Sequence, residues 1–391
     1  MADRLPSIES LVLDEAARRD AFPVCKNKAF FAHAGVTVLP RVAADAMTEY
    51  IRCSCEDHQE SGAVWRDVVE TRRVAARFIG AQPEEIALLG PTSLGLSLFA
   101  NGMPWREGDE LLCYAGDYPA NVYPWMNLRE RGVVVRYLET ERLGEITPEL
   151  VEAALTPRTR LVALASCHFL TGFRIDVDAI GRLLHARDVL FSLDAIQTLG
   201  AFPLSVEHVD FLAADAHKWM LGPLAIGIVY VKKKHFEMLR PTLLGAWNVR
   251  SPNFIAQGEI VFEETARRYE PGVLNIAGMY GMKAALELML AVGVNRIASR
   301  LLDLKKQIVG PLSALGFEIV APSGGANASS ITTFRHPRAD MKSFFARLEE
   351  NRVAASLRHN RDGVEFLRFS PHFYNTSEEI AHAVEVLRGG V

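Results

Sequence analysis

The sequence predicts an α/β protein: a large domain with a mainly parallel sheet flanked by helices, followed by a smaller C-terminal α+β domain. Three observations carry this prediction. First, between about residues 66 and 235, short apolar runs recur at 84–90 (EEIALLG), 109–116 (DELLCYAG), 133–139 (VVVRYLE), 160–167 (RLVALASC), 188–195 (DVLFSLDA), 209–216 (VDFLAADA) and 226–233 (IGIVYVKK). Unbroken apolar runs suit strands buried on both faces, as in βαβ units. Second, amphipathic stretches such as 146–155 (ITPELVEAAL) and 176–187 (DVDAIGRLLHAR) lie between the runs and carry a helical period. Third, the pattern changes after an apolar helical stretch at 275–293. A helix over 296–315, strands at 316–322, 328–336 and 364–372, and helices over 339–351 and 376–388 then read as α+β. At 391 residues the chain exceeds one ordinary hydrophobic core. The expected division is an N-terminal segment 1–28, a large domain 29–275, and a connecting helix with the small domain over 276–391.

Composition narrows the function classes. Lys and Arg total 43 against 47 Asp and Glu, a net charge of −4, so no basic surplus points to nucleic acid or an anionic membrane as partner. No apolar run reaches the roughly 20 residues of a bilayer span. The first twenty residues carry acids and no apolar signal core. Cys25, Cys53, Cys55, Cys113 and Cys167 are odd in number and sparse, as expected of reduced thiols in a cytoplasmic protein. Cys53-x-Cys55-x-x-His58 offers only three ligands, and positions i and i+2 of a helix do not face each other, so no metal site is expected. Lys232-Lys233-Lys234 reads as a solvated strand end.

In a doubly wound sheet, ligands sit at the carboxyl ends of the strands. Three such ends stand out. Asp194 follows an apolar run directly and needs a cationic partner to offset its desolvation. Lys218 closes Ala214-Asp215-Ala216-His217-Lys218, one strand later, with Gly222-Pro223 behind it. Gly90-Pro91-Thr92-Ser93-Leu94-Gly95 places hydroxyls where a helix begins, a plausible anion site. Taken singly, each has an ordinary structural role: a surface lysine, an N-cap aspartate, a pair of capping hydroxyls. A phosphate loop is excluded, because Leu96-Ser97 stands where Lys-Ser/Thr is needed. A serine-hydrolase elbow is excluded by Pro91, two before Ser93, where glycine is needed.

The ordered set Thr92-Ser93, Asp194-x-x-Gln197, His217-Lys218 and Arg368 resembles the class V aminotransferase branch of fold-type I pyridoxal-phosphate (PLP) enzymes. That branch includes cysteine desulfurases, selenocysteine lyases, kynureninases and isopenicillin N epimerase-like proteins. The resemblance runs from Phe31-Ala32-His33-Ala34-Gly35 to Phe369-Ser370-Pro371-His372-Phe373-Tyr374-Asn375. It implies PLP as cofactor, carried by Lys218 as an imine. Asp194 would keep the pyridinium nitrogen protonated, and Gln197 would donate to the phenolic O3′. Thr92, Ser93 and His217, with Asp215 or its backbone, would surround the phosphate. Asp215 departs from the small hydroxyl residue common there, and its carboxylate would repel phosphate unless turned away. His168 falls where some relatives place an asparagine near O3′. On the substrate side the resemblance gives Arg368 to the α-carboxylate, with Ala34 beside it.

Tyr118 occupies the place of the desulfurases' stacking histidine. Its ring can still stack on the cofactor, although a phenol is a poorer acid–base group near neutrality. Lys218, Asp194 and Tyr118 form the expected catalytic set. Arg268–Val273 resembles a loop that a second subunit contributes to the phosphate site, with Val273 where many relatives carry threonine, so a homodimer with a shared site is implied. Desulfurases also carry a mobile thiol shortly before the carboxylate-binding arginine. Here that loop, 356–363, contains no cysteine. The expected activity is therefore an aminotransferase-like reaction on an amino acid or amine. The alternatives are a C–S lyase or desulfurase-like enzyme, an epimerase, or, from another class, a catalytically silent PLP-binding scaffold. The intact lysine, aspartate and arginine argue against the last.

Overall fold

A computed structural model describes residues 8–390. In chain order the strands are β1 (Ala29–Phe30), β2 (Ile86–Leu88), β3 (Glu110–Cys113), β4 (Val134–Tyr137), β5 (Thr159–Ala165), β6 (Leu190–Asp194), β7 (Phe211–Asp215) and β8 (Gly227–Val231). They continue with β9 (Glu318–Ile319), β10 (Thr332–Arg335), β11 (Val353–Ala354), β12 (Ser356–His359) and β13 (Glu365–Phe369). The large sheet has the order β2-β8-β7-β6-β5-β3-β4. Only β8 runs against the others, antiparallel to both β7 and β2. Each apolar run of the sequence supplies one of these seven strands.

Burial on both faces explains the unbroken runs. Leu112, Val162, Leu164, Leu193, Leu212 and Ile228 pack into one apolar cluster. Their chain neighbours Leu111, Ala163, Ala213 and Val229 pack into another on the opposite face, with Phe99 and Phe211. The two-residue period of a strand assigns alternate side chains to the two faces.

The helix Ile276–Val292 buries Met279, Met282 and Leu286 in the first cluster. At Gly293 (φ 90°) the chain turns by 80° into the helix Val294–Ala314. Leu304, Ile308 and Leu312 of that second helix belong to a third cluster, with Phe317, Phe334, Leu367 and Phe369. This cluster underlies a four-stranded antiparallel sheet of order β12-β13-β10-β9. The N-terminal strand joins it: β1 pairs in parallel with β11, Ala32 bridges Ser370, and Ala29 and Phe31 bury in the same cluster.

Three local readings differ from expectation. The strand expected over 316–322 shrinks to Glu318–Ile319, cut short by Pro322 two residues past Val320. Part of the expected loop 356–363 is strand β12, its four residues zipped onto β13. The N-terminal segment holds helices Ile8–Leu13 and Glu15–Ala21, the second capped by Asp14 accepting from Ala16 and Ala17 N–H at 2.9 and 3.1 Å. Phe22 then stacks on Tyr374 with ring centroids 3.9 Å apart. Among the described residues no single helix is long and apolar enough to cross a membrane.

Two glycines set the approach of the helix Thr92–Gly102 to the sheet. A Cβ on Gly95 would lie 2.8 Å from the Ala213 Cβ and 2.9 Å from a Val229 methyl, so the helix seats directly on β7 and β8. A Cβ on Gly90 would lie 2.7 Å from both Asp215 Oδ1 and the Ile226 nitrogen. A larger residue at either place would push the helix N-terminus away from Lys218.

Candidate active site

Strand ends deliver the chemistry to one place. β6 ends on Asp194, β7 ends on Asp215 three residues before Lys218, and the turn after β2 leads to Thr92. A cavity of about 530 Å³ lies over these ends. Of the expected residues, Ala34, Thr92, Ser93, Tyr118, Gln197, His217, Lys218 and Arg368 line it. Asp194, His168 and Asp215 lie behind that lining.

Lys218 is buried, with Nζ 5.5 Å from the Tyr118 ring centroid. Burial lowers its proton affinity, Asp194 opposes that, and the cations Arg368 and Arg358 reinforce it. Asp194 moves the other way. Burial raises its pKa, and the neighbouring Asp117 carboxylate raises it further. Its Oδ1 accepts from the Ile196 N–H at 3.0 Å, and among the described residues no hydrogen bond engages Oδ2. A cationic ring nitrogen would supply the partner this carboxylate lacks.

Asp117 is a residue the sequence did not single out. It accepts from Tyr118 N–H (2.7 Å) and from Asn121 Nδ2 (3.1 Å), and Asn121 in turn accepts from the buried Trp125 indole (3.1 Å). This chain of bonds fixes the turn that presents Tyr118. Burial pushes the Asp117 carboxyl up to about 6 despite these donors. Both acids therefore favour the protonated form when folded. Their contribution to stability is full below the ordinary carboxylate range near pH 4 and is lost as pH climbs past about 6. In cofactor-free protein the melting temperature should fall over that interval. Asp194→Asn should flatten the fall, as measured by thermal melts across pH; an unchanged slope would refute the assignment.

At the anion end, Thr92 Oγ1 accepts from Asp215 N–H at 2.8 Å, leaving its own hydroxyl proton free to donate. The helix starting at Thr92 offers N–H groups that have no partner in its own first turn. Asp215 is turned away from this end: its Oδ2 lies 2.7 Å from His217 Nδ1. With a carboxylate on Nδ1, the His217 proton sits there, and Nε2 is left as an acceptor on a residue that lines the cavity.

Gln197 holds Ala34 O through Nε2 (3.1 Å) and accepts the Trp219 indole N–H (2.9 Å), leaving one amide N–H for the cavity. His168 is not among the residues that line the cavity. Its Nε2 is 3.0 Å from Gly116 O and its Nδ1 is 3.1 Å from Thr171 Oγ1, and burial lowers its pKa to about 4. The structure gives it a bracing role between two turns.

Arg368 on β13 is buried. One nitrogen bonds Phe169 O, while Nε and Nη2 have no partner. Burial first, and then Arg358, lower its pKa to about 9. Arg358 was missed because it lies in a segment read as loop. On β12, Ser356 opposes Arg368 and Arg358 opposes Phe366. Arg358 and Arg368 therefore share a sheet face as diagonal neighbours. Both line the cavity with Ser356 and Phe169. The residues present thus fit PLP: an open carboxylate, a depressed lysine, hydroxyls at a helix start, and an aromatic ring.

The loop Arg268–Val273 is anchored in its own chain over its first half. Arg268 bonds Glu263 O and Phe236 O, and Glu270 pairs with Arg72 and accepts from Leu88 N–H. Val273 is exposed.

A model of the family described as Aminotransferase class-V matches residues 29–382. Among similar proteins, a "Probable cysteine desulfurase" of Methanothermobacter thermautotrophicus is 29% identical, covering 95% of this chain and 97% of its own length. "Uncharacterized aminotransferase YcbU" of Bacillus subtilis is 26% identical over 89% and 93%. The apo cysteine desulfurase of Thermococcus onnurineus NA1 superposes with a TM-score of 0.89 at 23% identity, covering 96% of this chain and 97% of its own. The cystine C–S lyase C-DES, in complex with cysteine persulfide, gives 0.85 at 24%, over 94% and 99%. At such identities the superpositions speak for the fold alone. The family match spans most of the chain and takes in every residue of the cavity, and the chain therefore belongs to the class V aminotransferases, a family of PLP-dependent enzymes.

Proposed function

We propose that this chain transfers the amino group of an α-amino acid, with Lys218 moving the Cα proton and Arg368 holding the α-carboxylate. The observation that carries this is the buried Arg368 guanidinium with Nε and Nη2 unpartnered, in the same cavity as Lys218. An uncompensated buried charge costs several kcal/mol. A site that keeps one is built around an anion arriving from outside, and a carboxylate matches two N–H groups of a guanidinium.

When bound, PLP supplies an electron sink for the bond broken at Cα. The chain's own residues do the rest. Lys218, its proton affinity lowered by burial, would take the Cα proton near neutral pH and deliver it to the cofactor carbon bearing the amino nitrogen, so that hydrolysis releases the keto acid and the amino group stays behind for the second substrate. Asp194 holds positive charge at the ring nitrogen. Thr92, Ser93 and His217 would hold the phosphate, with Asp215 orienting the His217 ring through Nδ1. Tyr118, which lines the cavity, would stack on one face of the ring.

C–S cleavage of a cysteine-type substrate is the second reading, favoured by the relatives named as desulfurases. Relay of sulfur through an enzyme thiol is disfavoured. Cys25, Cys113 and Cys167 are buried, Cys53 and Cys55 are exposed near the end of the helix Arg41–Cys53, and none lines the cavity. Offering L-cysteine in parallel with amino-donor and keto-acid pairs tests both readings. We expect amino-group transfer. Stoichiometric alanine with a persulfide on an enzyme cysteine would overturn the proposal, and pyruvate with sulfide would move the assignment to a lyase.

The chain is proposed to act as a homodimer. Leu243, Leu244, Phe254, Ile255, Ile260 and Val273 are exposed in the segment between the two sheets, Phe254 at 74%. An apolar collection of this kind marks an interaction surface. Mass measurement in solution should give twice the chain mass; a fully active monomer would rule the shared site out. Free cysteines fit the reducing cytoplasm.

A further inference from the structure

The cavity wall is unbalanced in charge. Its lining includes Arg358, Arg368, Lys218 and His217 and contains no aspartate or glutamate. His217 and the Thr92–Ser93 turn belong to the phosphate end. Arg358 and Arg368 stand together at the other, on one face of the small sheet, through the β12–β13 register. The α-carboxylate satisfies one guanidinium. The second has no ion pair or hydrogen bond from its side chain among the described residues.

The Arg358 side chain is partly buried and reaches the backbone at Gly35. Its Nη2 lies 3.2 Å from where a Cβ on Gly35 would stand, so the bare Gly35 backbone makes room for it. Burial lowers its proton affinity, and its charge lowers that of Arg368 beyond the effect of burial. Two like charges held against a shared cavity cost free energy that only a second negative charge recovers.

We infer that Arg358 is a specificity residue and that the substrate carries a second anionic group on its side chain, as a four- or five-carbon dicarboxylic amino acid or its sulfinate isostere does. This rests on the proposed role of Arg368 at the α-carboxylate. A planar fork binds such a group in two-point fashion, and a charge-assisted bond of this kind should favour the dianion by about tenfold or more.

The test uses the holoenzyme and two probes of equal chain length, succinate and butyrate, with affinities measured by titration calorimetry. Wild-type protein should bind succinate about tenfold tighter or better. Arg358→Gln and Arg358→Leu should each bring succinate to near parity with butyrate while leaving butyrate affinity within about twofold, and Arg358→Lys should restore part of the preference. Melting curves of all variants check folding. Equal binding of the two probes by wild type, or equal loss of both in the Arg358 variants, overturns the inference. If instead Arg368→Leu leaves butyrate binding untouched, the carboxylate assignment of Arg368 fails, a result distinct from the first two.

Discussion

Lys218→Ala is expected to slow Cα–H exchange of any responding amino acid by about 10³-fold or more, because it removes the general base and the covalent anchor together. Exchange in deuterated water followed by NMR gives the rate without requiring turnover. In parallel, borohydride reduction of the wild-type holoenzyme and peptide mapping should place a pyridoxyl group on Lys218. The structure leads to this expectation by burying one lysine in the cavity beside an aspartate it does not contact closely enough to pair with. An adduct on another lysine, or wild-type exchange in the variant, would sink the assignment.

Asp194→Asn should have the second largest effect. The neutral amide cannot hold positive charge at the ring nitrogen, so deprotonation at Cα should slow by about 10²–10³-fold, the scale seen when one preorganised electrostatic partner is removed. Cofactor should still bind in part, since Thr92, Ser93 and His217 grip it at the far end. The absorbance of the bound cofactor then separates the two effects. Near-full occupancy with wild-type exchange rates would mean that Asp194 acts only as the acceptor of the Ile196 N–H.

What the sequence disclosed followed from strand length and burial. Asp194 and Lys218 sit at or just past the ends of β6 and β7, which are apolar enough to mark the strands (Ser192 in β6 aside) and turn charged where they stop. That contrast is visible in one dimension. Arg358 carried no such mark. β12 is four residues long, reads Ser-Leu-Arg-His, and becomes a strand only because β13 pairs with it. Asp117 looked like a turn residue ahead of Tyr118 and Pro119. Its burial beside Asp194 is a three-dimensional fact. For His168 the chain position suggested a contact, and the structure adds what no sequence shows, that its two ring nitrogens are engaged by Gly116 and Thr171. The short N-terminal helices, six and seven residues long, lack the length that periodicity needs to register.

The division of labour between the two sheets has an evolutionary consequence. Lys218, Asp194 and the Thr92–Ser93 turn stand on the large sheet, whereas Arg358 and Arg368 stand on β12 and β13 of the small one. On the proposed assignment, apparatus for the cofactor and apparatus for the substrate are encoded in separate stretches of chain and packed on separate cores. Drift in residues 353–369 can retune which amino acid is accepted without touching the machinery that breaks its bonds, so new substrate ranges are reachable by single steps that never pass through a cofactor-free ancestor.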